Sequence, residues 1–509
     1  MKEIETVPAE YERDESRFAG ECTGLFMAKS DGDVSAFLSR HEPFTVQGAR
    51  TGITGAAAPC RCKALNLSGF SGIAGMKKFG ADFAVAVRPG TLLADLRAAL
   101  ARKDFLTGGW PEESLLTFAE FKKGPALMFA PDPTEDTATV GGMFATNAGG
   151  PAALLYGRAG ENTAAIDVRL ADGAFWHIER GEHIFDEDGV CHLPDGRSLS
   201  VVYPKGSPLL LPLQPRVGTD LVDLFAGSEG MLGIMEQLWL KVVPIPAVRW
   251  SVVFFPDSVG CAAAFMDAVL AAKEHWACSL SSLEYLDSRS LRLFTAQREN
   301  QPRLMAIPEF PKGAACAVIA ELCAQNSDDA EAALGEALAL FSASGGNEDD
   351  TWAADTAEEI EKFRLLRHAV PEAVNSAIDK NRTNCGLLTK QAADVCLPRA
   401  SLSILLTELT GRLNAFGSEY ALFGHAGNRH FHVNLIPKDE NDYAKNAAFL
   451  LELTGEFAQN GGLIVAENGV GKLKRDLLKA LLPADQLALM RGIKAFFDPD
   501  GLLNPGNML

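Results

Sequence analysis

The apolar residues of the chain change period several times, and each change marks an element. Residues 1–35 mix charged and scattered apolar positions, and a helical lead-in is expected there. From residue 36 short β-type runs break into glycine. EPFTVQGARTGITGAAAP is one such run, and ADFAVAVRPGTLLADLRAAL predicts a strand, a Pro-Gly turn and an amphipathic helix. AAIDVRLADGAFWHIERG divides into two strands at an Asp-Gly turn. DLVDLFAGSEGMLGIMEQLWLKVVPIP predicts a helix, a glycine-rich turn and a strand closed by proline. After Pro246 the pattern becomes strands with covering helices. SVVFFP, SSLEYLD and HFHVNLIP read as strands; VGCAAAFMDAVLAAKE, DDAEAALGEALALFSASGG and CLPRASLSILLTELTGRLNAF read as helices. EEIEKFRLLRHAVPEAVN predicts a long helix interrupted at Pro371. From GGLIVAENG onward the chain reads as helical and finishes in an extended Pro/Gly tail, FFDPDGLLNPGNML. The layout is α+β, with breaks expected near residues 246 and 460.

Length and charge narrow the classes. A chain of 509 residues predicts two or three domains. Lys and Arg number 47 against 66 Asp and Glu, a net charge of −19, which excludes a nucleic-acid binder without a local basic patch. No run of about 18 apolar residues suggests a spanning helix. The start has no apolar core of signal-peptide type, so a cytoplasmic protein is expected, meeting the inner membrane only through a partner. Of the 10 Cys residues only Cys60 and Cys62 are close in sequence, and no C-x-x-C-x-x-C run exists. The expectation is reduced thiols and no iron–sulfur cluster.

Candidate chemistry lies first in glycine. One segment runs from Gln47 through Gly48, Ala49, Arg50, Thr51 and Gly52 to Gly55. A second begins at Pro131-Asp132-Pro133 and runs from Thr137 through Gly141, Gly142 and Asn147 to Gly150. A third is Gly227-Ser228-Glu229-Gly230-Met231-Leu232-Gly233. Glycines let backbone N–H groups approach and converge on an anion. Either of the first two alone reads equally as tight turns in a compact sheet; together they could serve one long cofactor carrying a pyrophosphate.

In this order the three segments resemble the FAD-binding domain of the flavoprotein family typified by vanillyl-alcohol oxidase and p-cresol methylhydroxylase. Within it the chain is similar to the FAD-linked D-lactate, glycolate and D-2-hydroxyglutarate dehydrogenases, from about residue 36 to Met508. The resemblance implies a two-part FAD-binding domain, residues 1–246 and 461–509, and an α+β substrate (cap) domain, 247–460. It implies that Gly48, Ala49, Arg50, Thr51, Gly52 and Gly55 wrap the pyrophosphate. Pro131, Thr137, Gly141, Gly142, Asn147 and Gly150 would line the pyrophosphate and flavin. Glu229, Gly230 and Ile234 would hold the isoalloxazine and adenosine side, and Asn504 lies where the chain returns to the flavin domain. Arg50 stands where the relatives have glycine. Its side chain must point away from the cofactor or donate to its phosphate, and the second suits an anion. Neither Cys60 nor Cys62 is an evident attachment point, so non-covalent FAD is expected.

The second concentration is histidine. Three of the 9 histidines, His425, His430 and His432, fall within eight positions. His430 and His432 share one face of a strand, and His425 can fold back across Gly427. By spacing the cluster reads as a carboxylate–imidazole metal site with Glu467, or as packed histidines without metal. In the relatives the segment is G-H-x-G-D-G-N-L-H-x-N. Here Gly424-His425-Ala426-Gly427 is followed by Asn428-Arg429-His430 before His432 and Asn434. The resemblance makes His425, His432 and Glu467 ligands of a divalent metal, zinc, iron or manganese, and puts Asn434 near the substrate. It makes Arg367 the clamp for a substrate carboxylate, although an arginine on a helix also reads as a surface residue. Lys390, ahead of Asp394-Val395, corresponds at looser spacing to a substrate-side lysine. The relatives' E-H-G is Glu467-Asn468-Gly469, so the histidine resembling the catalytic base is absent, and an amide cannot replace it. His430 is the candidate base in its stead.

The implied function is FAD-dependent oxidation of a small D-2-hydroxy acid, with hydride passing to the flavin. The acceptor would be oxygen, a quinone, an electron-transfer flavoprotein or an iron–sulfur subunit, and a homodimer is expected. Asn468 keeps two alternatives open: a different alcohol or amine substrate, or a flavin-binding electron-transfer subunit without its own dehydrogenase activity. The purified protein should be yellow, with absorbance maxima at about 370 and 450 nm set by the flavin itself. Acid precipitation should release that flavin. Absence of both bands after FAD is supplied defeats the cofactor assignment, and flavin retained on the denatured chain contradicts non-covalent attachment.

Overall fold

The structure is a computed structural model that describes residues 2–133, 135–203, 212–383, 385–386 and 388–509. The chain divides into two compact units. The first comprises Met1–Gly149, Gly157–Ile245 and Glu467–Leu509; the second comprises Gly150–Tyr156 and Pro246–Ala466.

The first unit is built on two sheets. In one, the strands Glu21–Met27 and Phe44–Gln47 flank Cys60–Asn66 in parallel. The C-terminal tail continues this sheet, because Phe44 N–H donates to Leu502 O and Asn504 N–H to Phe44 O, both at 2.8 Å. Phe26, Phe37, Phe44, Leu65, Leu502 and Leu503 close the core beneath it. The other sheet is antiparallel, in the order Ile73–Phe79, Asp82–Val87, Ile234–Lys241, Thr163–Arg169, Phe175–Glu179. The helical lead-in expected for residues 1–35 is corrected here. Glu21–Met27 is a strand that buries Leu25 and Phe26, and the helix Asp31–Leu38 follows it. Pairing against Cys60–Asn66 supplies the backbone bonds that the local sequence cannot reveal.

The second unit is one seven-stranded antiparallel sheet with helices on both faces. Its order is Thr351–Ala354, Val248–Phe254, Cys316–Ala324, Ser279–Asp287, Tyr420–His425, His430–Leu435, Gln391–Cys396. Strand alternation sorts residues between two cores. Leu283, Tyr285, Leu422, Phe431, Val433 and Leu435 enter the larger core, with the helices Val259–Ala272, Ser327–Ala343, Leu402–Phe416 and Glu440–Gln459. Leu286, Ala421 and Phe423 enter the smaller one, beneath the helices Ser288–Arg298 and Ala357–Arg382. The segment Gly150–Tyr156, within the first expected domain by sequence, carries the short helix Ala153–Tyr156 that packs on Ser279–Asp287.

The interruption expected at Pro371 does not occur: the helix Ala357–Arg382 runs through it. Proline removes one bond, to the carbonyl four residues back, at a cost of about 3 kcal/mol. Ile360, Phe363, Leu366, Val370, Val374 and Ile378 recur at helical spacing on the buried side and hold both halves to the sheet.

Asp287 joins the sheet to its smaller covering layer. Its Oδ1 accepts from Ser290 N at 2.8 Å, capping the helix Ser288–Arg298, and from Leu422 N of the neighbouring strand at 3.2 Å. Asp287→Ala should lower the stability of this unit by about 2–4 kcal/mol, the sum of a lost cap and a buried N–H left unpaired. A melting transition unchanged from the parent would show that neither bond matters.

Candidate functional site

The three histidines meet through a hairpin. His425 ends one strand and His430 begins the next, across the turn Ala426–Asn428. Register sets His425 opposite His430, and His432 opposite both Phe423 and Asp394. Opposed residues share a face, so His425, His430, His432, Asn434 and Asp394 all lie on the smaller-core side. Ring centroids are 5.6 Å apart for His425–His430, 5.4 Å for His425–His432 and 4.5 Å for His430–His432. One ring nitrogen of each lies within 4.8 Å of one nitrogen of each other ring.

Two buried carboxylates stand behind these rings. His425 Nδ1 is 2.7 Å from Glu284 Oε1, and His432 Nδ1 is 2.9 Å from Asp394 Oδ1. A carboxylate only accepts, so both rings carry their proton on Nδ1 and present Nε2 as the ligating nitrogen. His430 Nε2 lies 3.5 Å from the same Asp394 oxygen. Burial, and then His430, push the His432 imidazole down to about 4, so it is neutral near pH 7. A neutral His432 ring beside His425, each held at Nδ1 by a buried carboxylate, fits a divalent metal of the zinc or iron type. Glu467, directly after Ala466, begins the C-terminal segment of the other unit.

Glu284 also binds Arg367. Its Oε2 accepts from Arg367 Nε at 2.6 Å, while the guanidinium carbon lies 5.2 Å from the centroid of Phe423. Burial raises the Glu284 carboxyl, but His425 and then Arg367 outweigh it and hold it below its usual range. Arg367 is buried, so the surface alternative read from its helix is corrected. Asn434 is buried on the histidine face, and its Nδ2 donates to His432 O at 3.4 Å. Lys390 is half-buried, immediately before the strand Gln391–Cys396.

In the first unit the glycine segments come together. A Cβ at Gly48 would run into Thr139 Oγ1, so the first and second segments touch where glycine alone fits. Residues 48–53 are half-buried. Arg50 adopts φ +64° at the position where relatives carry glycine. Its Nε donates to Glu10 O at 2.9 Å and its guanidinium lies 4.1 Å from the Tyr11 ring centroid. Of the two orientations open to it, the side chain takes the one turned to Glu10 and Tyr11. Asp14 Oδ2 is buried beside Gly52 with no hydrogen-bond partner among the described residues. A touching pair of glycine loops with an orphaned polar atom beside them fits a cofactor bearing phosphate and hydroxyl groups.

The remaining predicted cofactor residues are scattered in role. Pro131 O accepts from Arg97, Thr137 Oγ1 donates to Glu135 at 2.6 Å, and Asn147 Oδ1 accepts from Gly160 N at 2.9 Å. Gly141 and Gly142 lie in the helix Val140–Thr146, Ile234 begins a buried strand, and Gly150 belongs to the second unit. Glu229 is buried, and its carboxylate accepts from Val470 N and Gly471 N at 2.5 and 3.0 Å. Asn504 donates to Glu229 O and accepts from Val46 N at 2.6 Å; a Cβ at Gly230 would meet its amide. Sequence reasoning missed Glu284, Asp14 and Lys472. The signal for Glu284 was an acid set between Leu283 and Tyr285 inside the strand run SSLEYLD.

Comparison with known proteins agrees with the resemblance read from the glycine strings. The family described as FAD linked oxidases, C-terminal domain, matches residues 245–508, more than half of the chain. A D-lactate dehydrogenase of Anaerostipes hadrus is 25% identical over 479 residues, covering 92% of this chain and 84% of that protein. The glycolate oxidase subunit GlcD of Bacillus subtilis (strain 168) is 25% identical over 388 residues, 75% of this chain and 70% of that one. The fold is shared with a solved alkyldihydroxyacetonephosphate synthase, at TM-score 0.60 and 13% identity over 96% of this chain and 76% of that chain. Among the described residues no helix is long and apolar enough to cross a membrane.

The histidine face makes a direct prediction. Protein purified without an affinity tag and offered zinc should retain about one equivalent after buffer exchange, and His425→Ala should lose most of it. Less than about one-tenth of an equivalent in the parent, by elemental analysis, defeats the metal site.

Proposed function

Because this chain belongs to the FAD linked oxidase family and is an FAD-linked oxidoreductase, we propose that it oxidises a small D-2-hydroxy acid, of the D-lactate, glycolate or D-2-hydroxyglutarate type, to the 2-oxo acid. One observation carries the reading. A single buried carboxylate, Glu284, holds a guanidinium and an imidazole of the histidine cluster, so a carboxylate-binding cation stands beside a metal-type donor set.

The oxidation removes a proton from the hydroxyl and a hydride from the carbon that bears it, and a carbonyl forms between them. FAD, when bound by the glycine segments of the first unit, is the group that accepts the hydride. Arg367 takes the substrate carboxylate through Nη1 and Nη2, since its Nε is engaged by Glu284. His425 and His432 would hold a divalent metal, with Glu467 assigned to it by its spacing and by the resemblance. When bound, such a metal would supply stabilisation of the negative charge developing on the substrate oxygen. His430, whose Nε2 lies 3.5 Å from Asp394 Oδ1, removes the hydroxyl proton. Asn434 and Lys390 contact the substrate's polar groups. Electrons leave to oxygen, a quinone, an electron-transfer flavoprotein or an iron–sulfur subunit, and the protein acts as a homodimer.

Anaerobic addition of the right hydroxy acid should bleach the flavin absorbance, and added divalent metal should quicken it. His430→Asn should slow flavin reduction about 100- to 10,000-fold with FAD still bound, the usual weight of a general base. Asn468→His should be tolerated or should raise the rate. A His430→Asn variant reducing at the parental rate removes His430 from the base role. If neither the parent nor Asn468→His responds to any hydroxy acid, the chain is a flavin-binding subunit or acts on another substrate.

A further inference from the structure

We infer that Glu284 is a positioning residue that couples the two halves of the substrate site: one carboxylate fixes both the ring proton of His425 and the guanidinium of Arg367. The inference rests on the reading that His425 is a metal ligand and Arg367 receives the substrate carboxylate.

Geometry leaves Glu284 little freedom. It lies in the strand Ser279–Asp287 and is 2% exposed. Its oxygens are divided, Oε1 to His425 Nδ1 at 2.7 Å and Oε2 to Arg367 Nε at 2.6 Å. The strand runs beside Tyr420–His425, with Leu286 opposite Phe423, so alternation directs Glu284 to the face that carries His425. Leu366 and Val370 anchor the helix around Arg367 in the smaller core. Neither the imidazole nor the guanidinium can turn without breaking a charge-assisted bond inside the protein. Nη1 and Nη2 of Arg367 make no hydrogen bond among the described residues, so with Nε held by Glu284 the guanidinium keeps its two remaining nitrogens as a donor fork.

The chemistry of the carboxylate is what matters. It accepts at both oxygens, and both neighbours must therefore donate. The proton of His425 is placed on Nδ1 and the lone pair on Nε2. Glutamine has nearly the same shape but accepts at one end and donates at the other. In Glu284→Gln the charged Arg367 claims the oxygen, because charge-assisted bonds are stronger. The amide NH₂ then faces His425 Nδ1, which must accept, and the ring proton moves to Nε2. The ligating nitrogen is lost through a change that touches no ligand. When Arg367→Met is added, the amide oxygen is released to His425 and the original tautomer returns.

The experiment measures zinc affinity on the full flavin-loaded chain without hydroxy acid, by competition with a chromophoric chelator. Glu284→Gln should bind zinc about 10- to 100-fold more weakly than the parent, the usual weight of a residue orienting a metal ligand. Glu284→Gln/Arg367→Met should recover the affinity of Arg367→Met alone. Glu284→Leu/Arg367→Met, which offers His425 no acceptor, should stay weak by about the same 10- to 100-fold. If Glu284→Gln does not fold because it buries an uncompensated guanidinium, the two double variants decide, since neither contains that cation. The coupling is overturned if Glu284→Gln matches the parent, or if the two double variants bind zinc equally. A residue with only a packing role would give no recovery on losing a second buried side chain. A parent that takes up no zinc overturns the inference together with the metal reading. A parent that binds zinc beside indifferent variants overturns the inference alone.

Discussion

A carboxylate sealed inside a protein has to be matched by donors, and Glu284 is matched by two. Desolvation of one unpaired carboxylate would cost several kcal/mol, and the same holds for the guanidinium of Arg367. Each is tolerable only because the other is there, with His425 completing the set. This constraint ties three elements together: the strand Ser279–Asp287, the strand Tyr420–His425 and the helix Ala357–Arg382. The hairpin that carries His430 and His432 follows directly from His425, so its placement depends on the same knot.

The sheet of the second unit explains why polar chemistry can sit so deep. One face is filled by Leu, Phe, Val and Tyr against four helices and provides most of that unit's apolar burial. The other face is apolar over most of its area, under the helix Ala357–Arg382, and becomes polar around the histidine hairpin. Phe431, Val433 and Leu435 anchor the strand from the first face, which leaves His430, His432 and Asn434 on the second without strain. A one-residue slip would exchange the two sets, burying imidazoles in the larger core. Register therefore protects the site as strongly as it protects the core.

The first unit solves a different problem, holding glycine-rich backbone in shape without large side chains. It does so with buried amide and carboxylate staples. Asn504 bridges Val46 and Glu229, Glu229 accepts from the backbone after Asn468, and Lys472 donates to Asn507 at 2.5 Å and to Gly55 O at 3.3 Å. The residues thought of as cofactor contacts thus also keep the loops rigid, which is what a preorganised binding site requires. Arg50 fits the same logic: it accepts a left-handed backbone, and its side chain anchors the loop to Glu10 and Tyr11.

The sequence by itself determined what is local. Glycine strings, strand alternation in HFHVNLIP and the close spacing of His425, His430 and His432 need no partner to be read, because turn geometry and a period of two are set by neighbouring residues. The resemblance added FAD and the hydroxy-acid branch from the same short strings. Tertiary structure decided whatever depends on pairing at a distance. Glu21–Met27 is a strand because Cys60–Asn66 lies beside it, and the helix persists through Pro371 because a buried stripe holds it on both sides. Glu284 meets Arg367 across 83 positions and His425 across 141. Only the assembled sheet and its helix bring such groups to hydrogen-bonding distance, because a buried charge finds its partner through packing and not through spacing along the chain.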